Sequence, residues 1–155
     1  MNKPSYLTRD GKEKLNAELK YLKGPAREEL AKRLRSAIQQ GDLSENADYS
    51  SAKEEQGFLE GRIEELTSIL SNVIVIDEKG TKKEIVDVGA KVTIQEESYP
   101  EETYFLVGPQ EADPAKGRIS HISPIGLSLM GHRVGDIVEA TIPAGIIKLK
   151  ILKIE

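Results

Sequence analysis

The stretch GDLSENADYSSAKEEQGFLEGRIEELTSIL, residues 41–70, decides the fold. Ala52, Leu59, Leu66 and Val73 stand seven apart, with Ile63 and Leu70 between them. That is the spacing of a coiled-coil seam. The first eight residues break the rhythm and hold Asp42, Glu45 and Asp48 instead. Upstream the rhythm returns: Leu15, Leu19, Leu22, Ala26, Leu30, Leu34 and Ala37 recur at three- and four-residue steps, predicting a one-faced helix. Thr8 is its expected N-cap. Gly24-Pro25 interrupts it, and proline lacks an N–H and clashes with the preceding turn. A kink is expected there, or a new helix opening at Pro25.

Two apolar stripes flanking a short polar gap predict an antiparallel two-helix coiled-coil hairpin. An arm of about 27 residues extends roughly 40 Å. Two helices alone bury little, so the hairpin is expected to stand out as a rod from a second domain. From residue 73 the period changes to that of strands. Residues 91–95, 103–107, 136–142 and 147–154 predict strands, with Pro143-Ala144-Gly145 as a hairpin turn. Ser123 followed by Pro124 opens a short helix through Met130. The expected class is α+β: a hairpin over residues 1–77, with its acidic tip near 41–49, and a small antiparallel-sheet domain with one short helix over 78–155.

Composition narrows the chemistry. With 38% hydrophobic and 31% charged residues, the chain suits a soluble protein with a modest core. It has no cysteine, which excludes disulfides, thiolate metal sites and thiol catalysis. No apolar run nears the roughly 18 residues of a membrane span, and the opening MNKPSYLTRDGKEKL has no apolar signal core. A soluble, cytoplasmic protein without a membrane partner is expected. A net charge of −4 argues against a general nucleic-acid coat. The charge is unevenly placed: ten cations against five acids precede Gly41, and two cations against nine acids follow over 42–77. Either the arms steady each other by pairing, or these are two solvated faces.

Self-contained active sites are missing. His121, inside an apparent strand pattern, and His132 have no metal-ligand spacing partner, and no phosphate-cradling loop or nucleophile elbow appears. The acidic gap has two readings. Asp42 as N-cap with Glu45 at the third helical position is a capping box. Alternatively, two carboxylates at an exposed tip offer oxygens to a hard cation. Mg²⁺ takes one or two carboxylates and completes its shell from water and phosphate.

The segments GDLSENADYSSAKEEQGFLEGRI, QEADPAKGRISHISPIG and VGDIVEATIPAGIIKLKILKIE closely resemble the bacterial Gre transcript-cleavage factors over nearly the whole chain. The resemblance implies a second domain like that of FK506-binding proteins, and an accessory role on RNA polymerase rather than an enzyme. It implies a coiled coil that enters the polymerase secondary channel while the globular domain docks at the rim. It also implies that the tip helps hold a second Mg²⁺ shared with the polymerase, so that backtracked RNA is cut near its 3′ end. No cofactor is expected to be held stably by the chain alone, and no small-molecule substrate.

By the same resemblance, Asp42 and Glu45 match the acidic pair that positions metal and water. Asn46, Asp48 and Tyr49 match positions that shape the tip, Asp48 standing where Glu is common. Lys53 matches a basic position that meets RNA or channel acids, and Ser123, Pro124 and Ile125 match the rim-docking loop. Where the family commonly carries a basic residue, about four positions before the Asp, this chain has Ile38. The basic contribution there is either weaker or carried by Arg35. Three rival readings remain: a prolyl isomerase, a channel-binding inhibitor without cleavage stimulation, and an oligomerisation rod. The first lacks an aromatic pocket, since the chain has no Trp and only Phe58 and Phe105. The second is disfavoured by the Asp-x-x-Glu tip, and the third leaves that tip without a purpose.

Overall fold

The computed structural model describes residues 3–42, 45–77 and 84–155. Leu43 and Ser44, inside the expected tip, and 78–83, at the expected start of the second domain, lie outside the described residues. The chain divides into two compact units, one formed mainly by Lys12–Asn72 and the other by Ser5–Gly11 with Val73–Glu155.

The first unit is a helical hairpin. Its first arm runs through α1 (Arg9–Tyr21), a π-helical turn (Leu22–Ala26) and α2 (Arg27–Gln39). Its second arm is α3 (Ala47–Ser71). All seven stripe residues of the first arm are buried or half-buried, with Leu30 and Ala37 deepest. On α3 the seam is Ala52, Ile63 and Leu66, flanked by half-buried Leu59 and Leu70. At Gly24-Pro25 the chain neither breaks nor starts a new helix. One wider turn takes Pro25 into its interior and spreads the backbone where the ring needs room.

The two charge-biased arms are tied together. Arg27 makes a bidentate pair with Glu60, at 2.8 and 2.7 Å, and Arg33 pairs with Glu55. Arg62 pairs in the opposite sense, with Glu18 at 2.8 and 3.1 Å. Hydrogen bonding to Arg62 holds the Glu18 carboxyl below its ordinary range, and Arg27 does the same to Glu60.

The second unit begins with a strand inside the stretch expected to belong to the hairpin domain. Strand β1 (Ser5–Thr8) pairs in parallel with β2 (Val73–Ile76). Val73 therefore leaves the heptad and starts a strand, and residues 5–11 and 73–77 of the expected 1–77 domain group with the second unit. Thr8 caps α1 as expected, its Oγ1 accepting from Gly11 N at 3.0 Å. Its own N–H donates to Glu111 at 2.7 Å, and its hydroxyl donates to the same carboxylate.

The main sheet contains β3 (Lys91–Gln95), β4 (Glu102–Val107), β5 (Arg118–Ser120), β6 (Ile137–Ile142) and β7 (Gly145–Ile154), in the order β5-β4-β3-β7-β6. It is not purely antiparallel: β5 runs parallel to β4, so the sheet is mixed. His121 lies in the turn just after β5 rather than within a strand. Its ring packs edge-on against Tyr6, with centroids 5.2 Å apart. One face of the sheet buries Val92, Ile94, Val138, Ala140, Leu149 and Ile151. On β7 the alternation shifts after Ile151, and Ile154 rather than Lys153 turns inward. The cause is a register shift opposite Thr93/Ile94, which inserts one residue into β7. Helix α4 (Pro124–Leu129) covers this core with Leu129 and Ile125. Among the described residues no helix is long and apolar enough to cross a membrane.

Candidate functional site: the acidic turn of the hairpin

Helix α2 ends where Gly41 takes φ 112°, in the left-handed region where glycine alone is at ease. The N–H groups of Gln40 and Gly41 still point back to Ala37 and Ile38 carbonyls, at 3.2 and 3.4 Å. Helix α3 starts at Ala47, and its cap is Asn46. The Asn46 Oδ1 accepts from Tyr49 N at 3.0 Å, and its Nδ2 donates to the Ala37 carbonyl at 2.6 Å. One side-chain amide thus holds the start of one arm to the end of the other.

The capping box expected at Asp42 and Glu45 is not formed, because the helix begins later and Asn46 takes the cap. Asn serves there as well as Asp, and at position 46 it also reaches Ala37. The carbonyl of Ala37 was missed as a tip-shaping group. A backbone acceptor leaves no mark in residue type.

Asp42, Glu45 and Asp48 are all exposed, and with Gln40, Asn46 and Ala47 they line one open hollow. Asp48 lies in the first turn of α3, where negative charge suits the helix dipole. Tyr49 is half-buried beside Asn46. Among the described residues no three or more His, Asp or Glu side chains converge closely enough to hold a metal. Carboxylate oxygens are the ligand type that Mg²⁺ takes, and Asp42 and Glu45 present them at this hollow.

The remaining expected site residues are dispersed. Lys53 is exposed on α3 and donates to Gln56 Oε1 at 3.2 Å. Arg35 is exposed on α2. Ser123, Pro124 and Ile125 belong to the second unit. Ser123 Oγ caps α4 by accepting from Gly126 N at 3.1 Å, and it donates to the Ser120 carbonyl at 2.6 Å. Gly126 is required by close approach: a Cβ there would lie 2.1 Å from the Ser120 carbonyl oxygen. Pro124 is exposed and Ile125 half-buried against the main core. His132 sits 3.2 Å from Asp136. The Asp136 carboxyl is held below its ordinary range first by the Arg133 N–H and then by His132.

Residues 5–75 match the family described as transcription elongation factor, N-terminal, and residues 81–155 match the one described as transcription elongation factor, GreA/GreB, C-term. The chain belongs to the GreA/GreB family of transcription elongation factors. Among its GreA/GreB relatives, the transcription elongation factor GreA of Thermoanaerobacter pseudethanolicus is 51% identical, covering 99% of both chains. That of Caldanaerobacter subterraneus subsp. tengcongensis is 48% identical, again covering 99% of both. Among solved structures, GreA factor homolog 1 of Thermus thermophilus aligns at 29% identity and a TM-score of 0.45, over 99% of both chains. The acidic turn thus lies in the part that matches the GreA/GreB N-terminal description, and the Ser123–Ile125 loop in the part that matches the C-terminal one.

Proposed function

We propose that this elongation factor acts on bacterial RNA polymerase as an accessory. Its hairpin enters the secondary channel and stimulates the polymerase's own Mg²⁺-dependent cleavage of backtracked RNA, rescuing arrested complexes. One observation carries this reading: Asp42, Glu45 and Asp48 are exposed around a single hollow at the turn, while Asn46 supplies the cap of α3. The cap of α3 is thus Asn46 and not Asp42.

In this proposal Asp42 and Glu45 would hold Mg²⁺ jointly with carboxylates of the polymerase. Mg²⁺ held there would supply the acidification of a water and charge stabilisation at the leaving oxygen of the phosphodiester. The chain's own residues orient and deliver. Asn46 keeps the turn in shape through its two hydrogen bonds. Asp48 and Tyr49 complete that turn, and Lys53 and Arg35 meet the RNA 3′ segment or acids of the channel. Ser123, Pro124 and Ile125 dock at the channel rim, presented by the capped start of α4.

The test is direct. Adding the protein with Mg²⁺ to a halted, backtracked elongation complex is expected to release short 3′ RNA fragments and to restart elongation. No fragments at saturating protein refutes the proposal. Slowed elongation without fragments identifies a channel-binding inhibitor instead.

A further inference from the structure

Phe58 is 71% exposed on α3, and Tyr21 is 54% exposed at the end of α1. Neither ring belongs to the seam. The two line one hollow on the side of the hairpin, next to the π-helical turn, with Ala26, Leu30 and Leu59 as its apolar floor. One turn along α3 from Phe58 stands Gly61, where an added Cβ would meet nothing within 4 Å. Glycine inside a helix costs about 1 kcal/mol relative to alanine, and no neighbour among the described residues demands it. Phe58, Leu59 and Gly61 fall within QGFLEGRI, a motif to which the tip chemistry assigns no role. Phe58 lies twelve residues beyond the Asn46 cap, about 18 Å along the helix. That is too far for it to shape the tip.

The charges around this hollow point to one kind of occupant. Arg33 is paired across the arms with Glu55. Glu29 also lines the hollow. Glu29 and Glu55 against Arg33 leave the lining one charge negative. Platforms that stack nucleic-acid bases sit in positively charged grooves, so a phosphate backbone is disfavoured. Exposed aromatics over an apolar floor are what protein interfaces bury at their centres.

We infer that the Tyr21–Phe58 hollow is a second docking surface, taking from a protein partner an apolar side chain flanked by Lys or Arg. This rests on the reading that the hairpin enters RNA polymerase, which makes the channel wall the partner surface. The acidic rim pairs with the flanking cation, and bare Gly61 lets the partner backbone come close.

The test uses the full-length protein and polymerase in a competition binding assay, with circular dichroism as a fold control. Phe58→Ala is expected to raise the Kd about tenfold. Gly61→Leu is expected to raise the thermal midpoint, because it removes a helical glycine, and yet to weaken binding several-fold by filling the open face. Wild-type affinity in both variants overturns the inference. If wild type binds and releases RNA fragments while both variants bind equally well, the docking surface falls and the cleavage reading stands. If wild type does not bind polymerase, both fall. Weakening confined to complexes with extruded RNA makes RNA the occupant and likewise overturns the inference.

Discussion

Asn46 donates to the backbone carbonyl of Ala37 across the mouth of the hairpin at 2.6 Å, nine residues back along the chain. The same side chain caps α3 through Tyr49 N. The turn is therefore held by one amide with two duties, and the acidic residues on either side are left exposed at the surface.

Those duties are separable. Asn46→Ala removes the cap, worth about 1 kcal/mol, and a cross-arm hydrogen bond of about the same size. The thermal midpoint is expected to fall on the order of 5 °C, measured by calorimetry. Asn46→Asp keeps the acceptor and loses only the donor to Ala37, so it is expected to fall by roughly half as much. Equal losses in the two variants contradict the double role.

Gly126→Ala places a methyl 2.1 Å from the Ser120 carbonyl. Overpacking of this kind costs about 1–3 kcal/mol. The second unit is expected to unfold at a lower denaturant midpoint, with a weakened Ser123 cap reported by faster amide exchange at Gly126. An unchanged midpoint means that the approach of α4 to the end of β5 is looser than described.

Acid sensitivity of the hairpin follows from Glu18. Its folded carboxyl is held below the ordinary value by hydrogen bonding to Arg62, against an opposing effect of burial. A carboxyl lowered on folding contributes stability above its unfolded pKa and loses it as pH falls through the folded one. The hairpin is thus expected to weaken as pH drops below about 4.5, the ordinary Glu value. Arg62→Gln is expected to return the Glu18 titration, followed by NMR, toward that value. A titration unmoved by the substitution rules out the pairing.

Tyr104 gives an alkaline counterpart. The Glu102 carboxylate accepts its hydroxyl proton at 2.5 Å, and together with burial this pushes the phenol up to about 12. Ultraviolet titration of wild type and Tyr104→Phe is expected to differ by one late-ionising tyrosine. Glu102→Gln is expected to bring that ionisation back toward 10. A Tyr104 that ionises near 10 in wild type contradicts the contact.

The two arms were legible because seven-residue and three-to-four-residue spacings leave no other element that buries both stripes. Strand 91–95 coincides with β3, and Ser123 caps α4 as its position before Pro124 implied. What stayed hidden had local causes. Asp42 and Asn46 are equally good caps, each near a polar gap, and only the three-dimensional reach to Ala37 chooses between them. Ser5–Thr8 and Arg118–Ser120 are strands too short to show a period, and each pairs in parallel with a distant partner. The apolar pair Ile151-Leu152 marks the extra residue in β7, but its partner strand is needed to see it as a bulge. At Gly24-Pro25 the interruption was visible, whereas its resolution as a wide turn depends on α3 holding both flanks of the stripe.

Under the proposed function, the exposed carboxylates at the hairpin turn serve a metal that is not the chain's own. Cleavage of backtracked RNA by a stalled polymerase, measured with Asp42→Asn and Glu45→Gln, tests it most directly. Because Asn46 is the cap, helical content by circular dichroism is expected to stay unchanged while cleavage falls by about two orders of magnitude. Full cleavage with both carboxylates neutralised contradicts the account.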